Sequence, residues 1–165
     1  MCTRIEVMEL YEAYYNMVYR LSFIMLKNKE DACDATQDVF LKLIKSDASF
    51  YSMEHARAWL IVTTRNHCRN IIKSSWKKMV SLTTEQTILE QTKKDTKNHE
   101  QADLVLASLL KLPQELRMLV YLHYFEGFSI EELARQLKKN PSTLRSRLAR
   151  ARKLLKLDLS KEESL

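Results

Sequence analysis

The chain has 165 residues, 45% of them hydrophobic, which is enough for one ordinary domain or two small ones and argues against disorder throughout. Its formal net charge of +6 favours a polyanionic partner through counterion release, without separating nucleic acid from an anionic membrane surface. One glycine and two prolines leave almost nothing for the tight turns of a sheet-rich fold, so an all-α architecture is expected.

The opening segment, MCTRIEVMEL, lacks the apolar core of a signal peptide, and no apolar run in the chain approaches the roughly 20 residues of a membrane span. A cytoplasmic protein with no membrane insertion is expected. From Val7 to Met25, Met8, Tyr11, Tyr15, Val18 and Met25 recur at helical spacing, Ser22 interrupting, with a second row through Tyr14 and Leu21. This predicts a long amphipathic helix. Residues 27–31 read as a polar turn, after which Ala32, Ala35, Val39 and Leu43 predict a second helix with Asp34, Gln37, Asp38 and Lys42 on or near its opposite side.

Residues 45–54, KSDASFYSME, break the periodicity and place the adjacent aromatics Phe50 and Tyr51 in a polar loop, where both are expected to be exposed. A third helix is predicted from about Glu54 to Lys78. It carries Arg57, Arg65, Arg69, Lys73, Lys77 and Lys78 and no acid after Glu54. A basic helix behind an aromatic loop can hold phosphates and accept an unstacked base. Trp59 reads better as core.

The cysteines, Cys2, Cys33 and Cys68, form no CxxC pair and are odd in number, so reduced thiols are expected, with Cys33 and Cys68 packed inside. His67 beside Cys68 makes no metal pair, because adjacent helical residues point about 100° apart. No metal and no cofactor is expected. Residues 79–101 read as a linker with at most a short helix, since from Ser81 to Gln101 the sequence is polar, rich in Thr and Gln, with Ile88 and Leu89 isolated.

A second domain is predicted over 102–157, the first spanning 7–78. Leu104, Leu106, Leu109 and Leu110 precede Pro113, and a helix with Leu116, Leu119, Val120, His123 and Tyr124 is expected to stop around Gly127. Ser129 and Glu132 then form a capping box, and Ile130, Leu133, Ala134 and Leu137 give the next helix one inward face. Lys138 and Lys139 make a turn, and Asn140 with Pro141 reads as the N-cap and first residue of a last helix.

On that last helix Leu144, Leu148, Ala151 and Leu155 fall in one inward stripe. Ser142, Ser146, Ala149, Arg150 and Lys153 lie opposite, with Thr143 and Arg145 beside them. Small residues admit base edges closely, and arginines bond guanine or hold phosphate. The segment 129–155 is therefore expected to be a DNA-binding helix-turn-helix, with Arg145 and Arg150 the best base readers and Arg147 and Arg152 nearer the packing boundary.

The segments ACDATQDVFLKL (32–43), WLIVTTRN (59–66), LPQELRMLVYLHYFEGFSIEELARQL (112–137) and PSTLRSRLARARKLL (141–155) occur in the order of the small bacterial sigma factors of the extracytoplasmic-function type. They resemble that family's A-E-D-x-x-Q-E-x-F, W-L-x-x-x-A-R-N, L-P and T-x-x-S-R-x-x-R-A-R patterns. The resemblance implies a non-catalytic promoter-specificity subunit of RNA polymerase. Its first domain would melt the minus-ten element, through Phe50, Tyr51, Arg57, Arg65, Asn66, Arg69 and Lys73. The same domain would dock on the beta-prime clamp helices through Asp34, Gln37 and Asp38. Its second domain would read the minus-35 duplex, through Ser142, Thr143, Arg145, Ser146, Ala149, Arg150 and Lys153. An anti-sigma protein is implied as a further partner. Ala56, Thr64, Asn70 and a loop without glycine depart from the family pattern.

Two other readings fit the helix-turn-helix less well. A sensing or dimerising regulator calls for a ligand pocket or dimer seam in the first domain, where the sequence has a basic helix. A DNA recombinase calls for clustered carboxylates or an activated nucleophile, whereas Tyr11, Tyr14 and Tyr15 stand at core spacing.

Overall fold

A computed structural model describes residues 5–79 and 100–163, and in them every regular element is a helix. The chain divides into two compact units, one on either side of Leu82 and Thr83. The predicted linker, with Ile88 and Leu89, lies almost wholly outside the described residues.

The first unit is three helices: α1 (Val7–Leu26), α2 (Lys29–Lys45) and α3 (Met53–Met79), each packed on the other two. The α1–α2 connection is tighter than the polar turn expected over 27–31. Lys27 adopts the left-handed conformation, φ 60°, and Asn28 caps α2 by accepting from the Asp31 backbone N–H at 2.9 Å. Two residues therefore suffice to reverse the chain. Ala32, Ala35, Val39 and Leu43 are buried as their spacing predicts.

The inward face of α1 differs from the expected one. Leu10, Met17, Val18, Leu21, Ser22, Ile24 and Met25 are buried, while Met8 and Tyr11 are exposed. Tyr11 lies over the Tyr15 and Phe40 rings at 5.0 and 4.9 Å, so its aromatic packing is at the edge of the core. Tyr14 donates to the Met53 carbonyl at 3.1 Å and ties α1 to the start of α3; burial raises its phenol pKa. Two buried threonines satisfy their hydroxyls within their own helices, Thr36 on Ala32 O and Thr64 on Leu60 O. Thr64 thus stands in the core without an orphaned hydroxyl.

The second unit contains α4 (Glu100–Lys111), α5 (Gln114–Val120), α6 (Ile130–Leu137) and α7 (Pro141–Glu163). Helix α5 runs into a wider π-helical turn, Tyr121–Phe125, and the chain leaves it through Gly127 at φ 77°, as the lone glycine predicts. Helix α7 packs against α4, α5 and α6 and continues past Leu155, with Asp158 accepting from Ser108 Oγ at 2.6 Å. Buried Arg117 donates to the Leu112 carbonyl at 2.8 Å and closes the α4–α5 corner. Desolvation lowers its pKa to about 10, which leaves it cationic at neutral pH.

The two cysteines in described segments differ in surroundings. Cys68 is buried, but Cys33 is exposed on α2, against the expectation that both pack inside; position 33 falls between the inward-facing Ala32 and Ala35. Burial pushes the Cys68 thiol up to about 11. The folded state holds this thiol neutral while an unfolded chain ionises it, so its contribution to stability falls as pH rises from about 9 towards 11. At pH 8 such a thiol holds roughly a hundredth of the thiolate of an ordinary one. Iodoacetamide at pH 8 should therefore alkylate Cys33 and spare Cys68, as read by peptide mass spectrometry of a Cys2→Ser chain. Equal rates at the two sites would contradict this burial.

Candidate nucleic-acid interface

The start of α6 is fixed by the capping box: Ser129 Oγ accepts from the Glu132 N–H at 3.1 Å, and Glu132 Oε2 accepts from the Ser129 N–H at 2.8 Å. Leu133, Ala134 and Leu137 face inward, with Ile130 half-buried at the margin. Helix α6 ends at Lys138 in the left-handed conformation, φ 54°, whose N–H bonds the Ala134 carbonyl. Asn140 Oδ1 then accepts from both the backbone N–H and the hydroxyl of Ser142, at 2.9 and 2.7 Å, and Pro141 opens α7. The turn between the helices is thus specified at both ends.

Leu144, Leu148 and Ala151 are fully buried, which fixes the rotation of α7, and Leu155 is half-buried. Ser142, Thr143, Arg145, Ser146, Ala149, Arg150 and Lys153 are all exposed, as expected. At about 1.5 Å per residue this face extends roughly 16 Å along a helix, the element a major groove admits. No acid occurs on α7 before Asp158, which Lys111 pairs at 3.3 Å. Arg147 is half-buried, and Arg152 donates to the Tyr124 hydroxyl at 2.9 Å. Tyr124 and Glu131 are partners of this face that the sequence did not disclose. Glu131 accepts from Arg145 at 2.8 Å.

In the first unit the DNA-facing candidates separate. Asn66 and Lys73 are exposed, and Arg57 and Arg69 half-buried. Arg65 is buried, contrary to expectation, because it shares an inward stripe with Ile61, Thr64 and Cys68 at helical spacing. Phe50 is buried as well, at 6% exposure, against the expectation of an exposed loop ring. It turns inward edge-on to Trp59 and His55, at 5.8 and 5.5 Å, which leaves it unavailable as a stacking platform in this conformation. Tyr51 remains 78% exposed and lies parallel to the His55 ring, 5.6 Å away and 8° from coplanar. His55 was not singled out from the sequence; its spacing of four from Tyr51 was the available signal.

Asp34, Gln37 and Asp38 are exposed together on α2, with Leu41 and Ile44 extending the same helix's exposed surface. His67 of α3 bridges this face. Its Nδ1 lies 3.1 Å from Lys42 Nζ, which can only donate, so Nε2 carries the ring proton and donates to Asp38 at 3.2 Å. Among the described residues no group of His, Cys, Asp and Glu is placed to hold a metal, and no helix is long and apolar enough to cross a membrane.

Two helical units, one holding a helix-turn-helix whose second helix carries no acid before Asp158 and the other built around a basic helix, define a DNA-binding protein. Residues 10–78 match the model for sigma-70 region 2, and residues 102–155 match that for sigma-70 region 4. The chain is 28% identical to the RNA polymerase sigma factor SigV of Bacillus subtilis over 151 residues, covering 88% of this chain and 86% of that one. It is 29% identical to YlaC, a sigma factor of the same organism, covering 96% and 94%. The fold is similar to that of the sigma factor RpoE in its complex with the anti-sigma factor NepR from Bartonella quintana, with TM-score 0.67, 16% identity and coverage of 91% and 94%. The chain belongs to the sigma-70 family of RNA polymerase sigma factors, in its extracytoplasmic-function group. It binds core RNA polymerase and promoter DNA and directs promoter-specific transcription initiation.

The inward turn of Phe50 sets a clear expectation for stability. Phe50→Ala should destabilise the first unit by about 3–5 kcal/mol, as large-to-small core changes do, while Tyr51→Ala should stay within about 0.5 kcal/mol. Denaturant unfolding of the two variants measures the difference, and a neutral Phe50→Ala would return that ring to the surface.

Proposed function

We propose that the two units divide the promoter between them, the second reading the minus-35 element as duplex and the first opening the minus-ten element. The observation that carries this is the exposed, acid-free face of α7 from Ser142 to Lys153. Arg145 and Arg150 supply fork-shaped donors for guanine edges, Ser142, Thr143 and Ser146 allow close approach, Ala149 offers a methyl contact, and Lys153 holds phosphate.

In the first unit Tyr51, backed by His55, is the aromatic surface that accepts an unpaired base, with Asn66 bonding a base edge. Arg57, Arg69 and Lys73 neutralise the backbone along α3. The face of α2 with Asp34, Gln37 and Asp38 docks on the beta-prime clamp helices of core polymerase. The solved relative captured with its anti-sigma factor supports an anti-sigma protein as the regulatory partner of this chain too. Its work requires no catalytic site of its own, and it acts in the cytoplasm, where core polymerase and promoter meet.

Arg150→Ala in reconstituted holoenzyme is expected to cost about 1–3 kcal/mol of minus-35 discrimination, measured by competition between a selected promoter and single-base variants. A uniform loss across all sequences would assign Arg150 to phosphate. Asn66→Ala and Tyr51→Ala should leave minus-35 duplex binding intact yet lower permanganate reactivity of unpaired minus-ten thymines. Unchanged reactivity in both would remove the proposed pocket.

A further inference from the structure

Helix α7 brings no acid to its own outward face, yet one reaches that face from the neighbouring helix. Glu131, in the first turn of α6, accepts from Arg145 Nη2 at 2.8 Å, and the two side chains are 63% and 56% exposed. Glu131 is not needed to cap α6, since Glu132 completes the capping box. Its side chain instead extends to a residue 14 positions further along the chain, on the helix that faces DNA.

The chemistry of this pair differs from that of the other arginine held from outside α7. Arg152 is held by the neutral Tyr124 hydroxyl, so its full charge remains available to a phosphate. Arg145 is held by a carboxylate, which offsets its charge and repels a phosphate brought close to it. The guanidinium has five N–H donors in a planar fork, and one contact to Glu131 leaves the others to meet a guanine edge. A carboxylate at this position disfavours a backbone clamp and favours a base contact, because the cost it imposes falls on DNA of every sequence while the base bond is gained on one.

We propose that Glu131 is a specificity-determining positioning residue of the helix-turn-helix: it holds Arg145 in a base-reading pose and lowers affinity for DNA of unrelated sequence. This rests on the assignment of Arg145 as a base reader, and the test separates the two.

The full chain is assembled with core RNA polymerase as wild type, Glu131→Gln, Arg145→Ala and the double variant. Each is titrated, over a range of salt, against a promoter whose minus-35 element was selected from a random library by the wild-type holoenzyme, and against single-base minus-35 variants of it. Glu131→Gln should narrow discrimination by about two- to fivefold, the range an exposed ion pair controls, mainly by tightening the altered promoters. It should also steepen the dependence of log K on log salt by about one as Arg145 becomes free to take a phosphate. In the Arg145→Ala background it should change neither quantity. If Arg145→Ala alters discrimination while Glu131→Gln leaves ratio and slope unchanged, the positioning role is overturned and the base reading stands. An equal steepening in both backgrounds assigns Glu131 to the general electrostatic field and overturns the positioning role. If Arg145→Ala weakens all promoters alike, base reading and positioning fall together.

Discussion

The rotation of α7 about its own axis is the constraint on which the second unit's function depends. A helix turns about 100° per residue, so a slip of one position would carry Arg145 and Arg150 away from the outward face. Leu144, Leu148 and Ala151 prevent this by burying completely against the rest of the unit. The capping box at Ser129, the left-handed Lys138 and the Asn140 cap set where each helix begins or ends. Apolar burial thus selects the face, and backbone capping sets the angle at which it is presented.

The first unit solves a related problem with fewer polar devices. Helix α3 carries basic side chains along most of its length, and only its packing decides which of them meet solvent. Ile61, Thr64 and Cys68 draw Arg65 inward with them, while Asn66 and Lys73 remain outside. Phe50 turns in to join Trp59, and this inward anchor positions the loop that leaves Tyr51 exposed beside His55. The exposed aromatic surface therefore depends on a buried neighbour. The same helix also reaches α2, where His67 connects Lys42 to Asp38, so the surfaces proposed to face DNA and polymerase in this unit are joined through α3.

Much of this was legible in the sequence because strong local rules agreed. The all-helical fold followed from the near absence of glycine and proline, and the outward face of α7 from the narrow apolar stripe of Leu144, Leu148, Ala151 and Leu155 that follows Asn140-Pro141. Helix α1 was harder, because Met8, Tyr11, Tyr14 and Tyr15 offer more than one helical stripe and only tertiary packing chooses between them. Phe50 lies in a loop, where no periodicity reports which side is buried. Arg65 was hidden by its charge, which suggests solvent although its position on the helix points inward. Contacts such as Glu131 with Arg145 and Asp38 with His67 join residues 14 and 29 positions apart on different helices, beyond the reach of local patterns.

The central claim is that the outward face of α7 lies in the major groove of the minus-35 element. Hydroxyl-radical cleavage of promoter DNA from an iron chelate tethered at Lys153→Cys, in a chain carrying Cys2→Ser and Cys33→Ser and labelled before assembly into holoenzyme, tests it most directly. Cleavage on both strands flanking the minus-35 major groove is the result the account predicts. Its absence there, or cleavage confined to the minus-ten region, would contradict it.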